Sequence, residues 1–279
     1  GIVWALINGN AEGWTSPVIL VAFAVGALFL AAFAWWERRA AAPMLPPRFF
    51  RSRSFTFANL SAMHMSFGMF GAIFLLVQFL QFALRYSPLE AGMAILPWTL
   101  APMFVAPVAG ALSDRIGGGL IMGVGLSLQA AGLAWIGLIS GTGVEYSAMI
   151  VPFIISGIGM GLFFAPMANV LLSSVRPAEE GKASGASGAI RELGGVFGVA
   201  VLATVFARQG SYQSPQAFVD GMVPAVLAGA AVVAFGAVLA FAIPRTVGSR
   251  GEEPAAEPVP VPAATLGTAP EPVFASVDD

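Results

Sequence analysis

Cysteine is absent from the chain and histidine occurs once, at His64. The first absence excludes disulfides and thiolate metal sites, and the second excludes a metal centre built on a cluster of histidines. Charge is scarce too. Asp, Glu, Lys and Arg together make up 10% of the 279 residues, against roughly 25% in an ordinary soluble domain. There is no His/Glu metal spacing, no Gly-x-Ser-x-Gly, no glycine-rich loop closed by Lys-Ser/Thr, and no pair of carboxylates inside an apolar run. An enzyme therefore has no support, and neither a metal nor a cofactor is expected. Gly1 to Ile7 is apolar without a basic residue ahead of it, so it does not read as a signal peptide; the chain reads as a fragment that begins inside a cut helix.

What is present is apolar length. Hydrophobic residues are 57% of the chain, and they fall in runs of the roughly 20 residues needed to cross a bilayer as a helix. The alternation expected of barrel strands is missing. The fold class is an all-α, polytopic membrane protein. Residues 1–36 hold one partial and one complete helix, the latter Val18–Trp36. Residues 37–54 are a linker rich in arginine and broken by Pro43, Pro46 and Pro47. Residues 55–243 hold six spans: Phe55–Leu80, Ala91–Leu112, Leu120–Ser140, Ser147–Leu172, Ala186–Ala207 and Gly221–Ile243. Residues 244–279, rich in Pro and Glu, read as a disordered tail.

With loops alternating sides, Arg38, Arg39, Arg48, Arg51, Arg53, Arg115, Arg176, Lys182, Arg191, Arg245 and Arg250 share one side. Only Arg85 and Arg208 occupy the other. The positive-inside rule then makes the first side, with the linker and the C-terminus, cytoplasmic in a cell membrane.

Glycines at small-residue spacing mark two helix faces, Gly157, Gly159 and Gly161 in one and Gly194, Gly195 and Gly198 in another. Such faces let helices approach closely in lipid, for tight packing or for sliding during a conformational cycle. His64 lies near the middle of its span, either as a functional group or as a histidine satisfied by a neighbouring carbonyl. Asn59, Gln78, Gln81, Gln129 and Asn169 are weaker polar signals of the same kind. No acid sits at mid-membrane; the nearest, Glu192, follows Arg191, and the two point about 100° apart, so they are not expected to pair with each other.

The stretch Gly110-Ala-Leu-Ser-Asp114-Arg115-Ile-Gly117 lies between the second and third of the six spans. It resembles the conserved loop of major facilitator superfamily carriers, with Gly118 and Gly119 where basic residues usually close the motif. Phe79-Leu-Gln81 with Tyr86-Ser-Pro-Leu-Glu-Ala-Gly92, the Gly157 to Pro166 stretch, and Glu180-Gly-Lys-Ala-Ser-Gly185 through Gly198 resemble the fourteen-helix drug/proton antiporters of the EmrB/QacA type. In that branch Arg85 stands where glycine usually precedes Tyr86.

The resemblance implies the C-terminal six-helix half of such a carrier, preceded by parts of two extra helices, and export by alternating access. It implies a lipophilic small molecule, protons and the bilayer as partners, with no nucleic acid, and it places the proton-coupling carboxylate in the other half. An uncoupled exporter of metabolites, and a truncated half serving only in membrane assembly, stay open beside it. By the family arrangement His64, Gln78, Gln81, Trp98, Phe163 and Asn169 are candidates to line the cavity, and the third and sixth helices face lipid. Gly110, Asp114, Arg115 and Gly117 would form the cytoplasmic gate loop, with Asp114 capping a helix N-terminus. Gly157, Gly161, Arg191, Glu192, Gly194 and Gly198 would serve packing and gating.

Overall fold

The structure is a computed structural model in which residues 1–40 and 43–244 are described; the expected disordered tail lies outside these residues. Eight α-helices follow one another: α1 (Ile2–Glu12), α2 (Pro17–Arg39), α3 (Arg53–Gln78, continued by a π-helical turn, Phe79–Ala83), α4 (Pro88–Ile116), α5 (Gly118–Ile139), α6 (Tyr146–Ser173), α7 (Glu180–Gln209) and α8 (Pro215–Phe241). No strand occurs among the described residues. All but α1 are long and apolar enough to cross a membrane.

The helix starts are written in a repeated device. Ser16, Ser87 and Ser214 each cap a helix whose first residue is proline, with the serine Oγ accepting from Ile19, Glu90 and Ala217 N–H groups. Proline at that position loses no hydrogen bond, and its fixed φ suits the helix. At Ser87 the cap is reciprocal, because the Glu90 carboxylate accepts from the Ser87 N–H at 2.8 Å. These caps set α4 at Pro88 and α8 at Pro215, earlier than apolarity alone places them at Ala91 and Gly221. The expected start of α7 at Ala186 likewise moves back, to Glu180, so that Gly181 to Gly185 form a polar first turn that apolarity does not mark.

The six helices α3–α8 pack in a pattern that maps onto itself. α3 packs on α7 and α8, α6 packs on α4 and α5, and α5 packs on α8. Exchanging α3 with α6, α4 with α7 and α5 with α8 leaves these pairings unchanged, which is the contact signature of two three-helix repeats. α5 is the most enclosed of the spans, and α4 the least enclosed of the six. The expectation that the third helix faces lipid therefore holds for at most one flank of α5. Its other flanks are buried against α6 and α8, with Ile121, Met122, Leu126, Leu133 and Ile136 in the core.

Glycine brings the helices together. A Cβ on Gly194 or Gly198 would strike the carbonyl oxygens of Met63 and Phe67, so α3 and α7 meet backbone to backbone. Gly157 meets the Trp98 carbonyl in the same way. That carbonyl is the one Pro102 leaves without its helical donor, and a Cα–H contact from a glycine is the partner that a buried helix seam supplies. Despite Pro97, Pro102 and Pro107, α4 stays one helix of 29 residues.

The linker is folded from Pro43 onward. A 3₁₀ helix, Pro47–Arg51, buries Phe49 against Phe55, Leu171 and Ala183. Buried Glu37 accepts the Leu45 N–H at 2.9 Å, Lys182 Nζ donates to the Pro43 carbonyl at 2.9 Å, and Arg48 pairs with Glu179. A segment that proline keeps out of α-helix thus becomes a strap on the ends of α3, α6 and α7.

Candidate functional site

The Gly110 to Gly117 motif is the end of a helix. Asp114 and Arg115 are exposed on the last turn of α4, and Gly117, at φ +97°, both ends α4 and begins α5. No side chain caps α5. The expectation that Asp114 caps a helix N-terminus is therefore corrected: its backbone is still helical where a cap must be extended. Arg115 suits a helix C-terminus and Asp114 does not, each by about 0.3–1 kcal/mol. Gly117 is required by its backbone, since a positive φ of this kind suits only glycine. Gly110 is not, because the nearest heavy atom to a Cβ there is Ala165 Cβ, at 3.9 Å. Gly118 and Gly119 have a packing reason: side chains there would run into Val170 and Ile243.

The candidate lining residues do not converge. His64 sits on the α3–α8 seam, where its Nδ1 lies 2.7 Å from the Leu60 carbonyl and its ring 5.4 Å from that of Phe235. Gln78 and Gln81 lie at the opposite end of the spans from the linker. There the Tyr212 hydroxyl donates to Gln78 Oε1 at 2.5 Å, and Phe82, Phe206, Tyr212 and Phe218 form an aromatic cluster. Partial burial pushes the Tyr212 phenol above its ordinary pKa. Trp98 is buried in the α4–α6 seam, stacked on Phe153 at 6.1 Å. Phe163 is fully buried, its ring 6.0 Å from that of Phe164, and Asn169 is exposed farther along α6.

What does converge is a group of three residues on α6 and α7. The Arg191 guanidinium lies 3.6 Å from a Glu192 carboxylate oxygen and 5.8 Å from the centre of the Phe164 ring. The expectation that adjacent residues cannot pair is overturned. The 100° separation holds at Cβ, but these side chains are 38% and 65% exposed, and on an open face the long arginine stem swings its head across that arc. The early start of α7 changes their depth as well. At 1.5 Å per residue Glu192 lies about 18 Å from Glu180 and about 26 Å from Gln209, close to the middle of the helix. Gly181, Gly185 and Gly188, on the turns before it, have no heavy atom within 4 Å of a Cβ position. This face of α7 is open, while Ala183 and Ser187 on the opposite side are buried.

A second polar group was legible only as a weak signal. Both amide atoms of Gln129, the Ser156 hydroxyl and the Trp98 Nε1–H are buried without a hydrogen-bond partner among the described residues. Gly132 packs on Ser156 Oγ, Gly157 on Trp98, and Gly159 on the backbone of Gln129. The middle of α6 is thus ringed by unpaired polar atoms from α4 and α5, an arrangement that tertiary packing alone creates. No group of three or more His, Asp or Glu side chains that could hold a metal occurs among the described residues.

The chain matches the profile of the Major Facilitator Superfamily over residues 1–199 and, in an overlapping match, 58–275. It is 34% identical over 206 residues to the multidrug resistance protein Stp of Mycobacterium tuberculosis, which covers 74% of this chain and 38% of that protein. To the multidrug efflux pump LfrA of Mycolicibacterium smegmatis it is 33% identical over 205 residues, 74% of this chain and 40% of the pump. To the cephamycin export protein CmcT of Amycolatopsis lactamdurans it is 31% identical over 198 residues, 70% and 41%. The chain spans about two fifths of the length of these relatives. Seven helices fit to cross a membrane, two three-helix repeats packed about one seam, and a profile match over most of the chain all lead to the same assignment: this protein belongs to the major facilitator superfamily, a family of multi-pass membrane transporters.

Proposed function

We propose that this chain forms the C-terminal part of an exporter of lipophilic compounds, driven by protons and working by alternating access, in the fourteen-helix drug/proton antiporter branch. The observation that carries the reading is the Arg191–Glu192 pair midway along α7, with Arg191 beside Phe164 of α6 and Glu192 on the open face that Gly181, Gly185 and Gly188 share. Charge at such depth is costly and belongs to a water-lined path or to an opposing element. Phe164 beside the guanidinium adds an apolar surface of the kind a lipophilic cation uses. The relatives bear names of drug and antibiotic export, which supports the substrate class. The opposing helices would supply the other cavity wall and the main proton-coupling acid.

Everted vesicles from cells expressing the gene test this directly. An inside-acid gradient is expected to drive uptake of ethidium, and Glu192→Gln to reduce that uptake at least tenfold at unchanged protein level. Uptake indifferent to the gradient would favour the uncoupled exporter, a reading helped by the natural-product export named for one relative. Absence of uptake under every gradient would leave the non-transporting half.

A further inference from the structure

A cavity of about 260 Å³ opens between the strap and the α6–α7 turn, away from the α7 face described above. Arg48, Arg176 and Glu179 line it, with Ser52 and Ser174 on its walls and Phe49 beneath. It is smaller than the pockets that hold drug-sized ligands, roughly 300–1,000 Å³. We propose that it binds the phosphodiester headgroup of an anionic phospholipid.

Four observations converge on that occupant. The first is charge: two guanidiniums and one carboxylate leave the lining at +1, and exposed Arg51 and Arg53 flank Ser52 on either side. The second is availability. Arg48 is paired with Glu179 but its side chain is 54% exposed, and Arg176 has no ion-pair or hydrogen-bond partner for its side chain among the described residues. Ser174 and Ser173 already donate to the Leu171 and Val170 carbonyls, and Ser52 Oγ accepts from the Phe55 N–H, so the donors open to an anion are the Ser52 hydroxyl and the arginines, the side chains suited to bidentate phosphate binding. The third is position. Eight of the basic residues, Arg38 to Arg53, Arg115, Arg176 and Lys182, gather at this end of the helices, where the spans leave the bilayer. Basic pockets between helices at such a surface take lipid headgroups. The fourth is the apolar border: Phe49 lines the cavity, and its neighbour Phe50 stays exposed, an apolar surface for an acyl chain.

This inference rests on the membrane spans and not on the transport reading. The chain, purified in mild detergent and equilibrated with mixed phosphatidylcholine and phosphatidylglycerol, is examined by native mass spectrometry for retained lipid. Retention of one phosphatidylglycerol in preference to phosphatidylcholine is expected, and Arg176→Gln should lower it about fivefold, the loss of one surface cation. Arg208→Gln, at the opposite end of α7, should leave it unchanged. Glu179→Gln raises the lining to +2 and should hold retention at or above the wild-type level. Retention unaffected by Arg176→Gln would overturn the proposal. So would a fall with Glu179→Gln to the level of Arg176→Gln, because the pair would then be only a strap. Displacement of the lipid by millimolar inorganic phosphate would overturn the lipid in favour of free phosphate.

Discussion

At the scale of the residue, Arg85 is the place where a single side chain is at odds with its backbone. Its φ of +63° is the only positive value among the described residues other than glycine. A left-handed conformation costs a non-glycine residue about 1–2 kcal/mol. Two terms oppose that cost. The guanidinium lies 5.7 Å from the Phe82 ring centre, a contact of about 0.5–1 kcal/mol, and glycine at the site would add about 0.5–1 kcal/mol of unfolded-chain entropy to lose. The terms nearly cancel. Arg85→Gly is therefore expected to leave the thermal midpoint in detergent almost unchanged, whereas Arg85→Val, β-branched and without the ring contact, should cost about 1–2 kcal/mol. Gln129 is the converse case, a side chain suited to its space but not to its surroundings. Both its amide atoms are buried and unpaired, so Gln129→Met should stabilise the chain by about 1 kcal/mol or more. Reduced export by the same variant would show the amide serves transport.

At the scale of the element, the same residue type does opposite things on two stretches of α7. Gly198 sits on the Phe67 carbonyl, while Gly188 has nothing within 4 Å of a Cβ position. Gly198→Ala must push α3 and α7 apart, and overpacking of this kind costs about 1–3 kcal/mol. Gly188→Ala meets no neighbour and gains about 1 kcal/mol of helix propensity. Thermal unfolding of the two variants, followed by size-exclusion chromatography, should move in opposite directions. Equal effects would mean that the α3–α7 seam is looser than its geometry indicates. The glycine spacing was visible in the sequence, but spacing cannot say which partner each face meets. In α6, Gly157 and Gly161 turn to α4 and Gly159 to α5, and that division comes from the packing.

At the scale of the whole molecule, the positive-inside rule makes the basic residues a testable statement of orientation. Of the eleven assigned to the cytoplasmic side, Arg245 and Arg250 lie outside the described residues and Arg191 lies midway along α7; eight remain, against Arg85 and Arg208. The asymmetry survives the correction. The absence of cysteine makes the chain its own background for a labelling test. Ala178→Cys, on the strap side, should react with a membrane-impermeant maleimide only after cells are opened, and Thr142→Cys, between α5 and α6, should react in intact cells. The reverse pattern would invert the topology and move the proposed headgroup site to the outer leaflet.

Composition and run length alone determined that this is a helical membrane protein, because backbone polar groups in lipid leave no other way to satisfy runs of this length. The Ser-Pro starts and the Gly117 turn are local chemistry written in neighbouring residues, but a reading by apolar runs passed over them. The tertiary structure decided the rest. A helix start six residues early carried Glu192 to the middle of α7, the exposed face let Arg191 reach it, and Phe49 found its site on Phe55 and Leu171, folding a linker that proline alone would leave open. Each of these depends on a partner far away in the chain, and apolar periodicity carries no record of which helix will stand beside which.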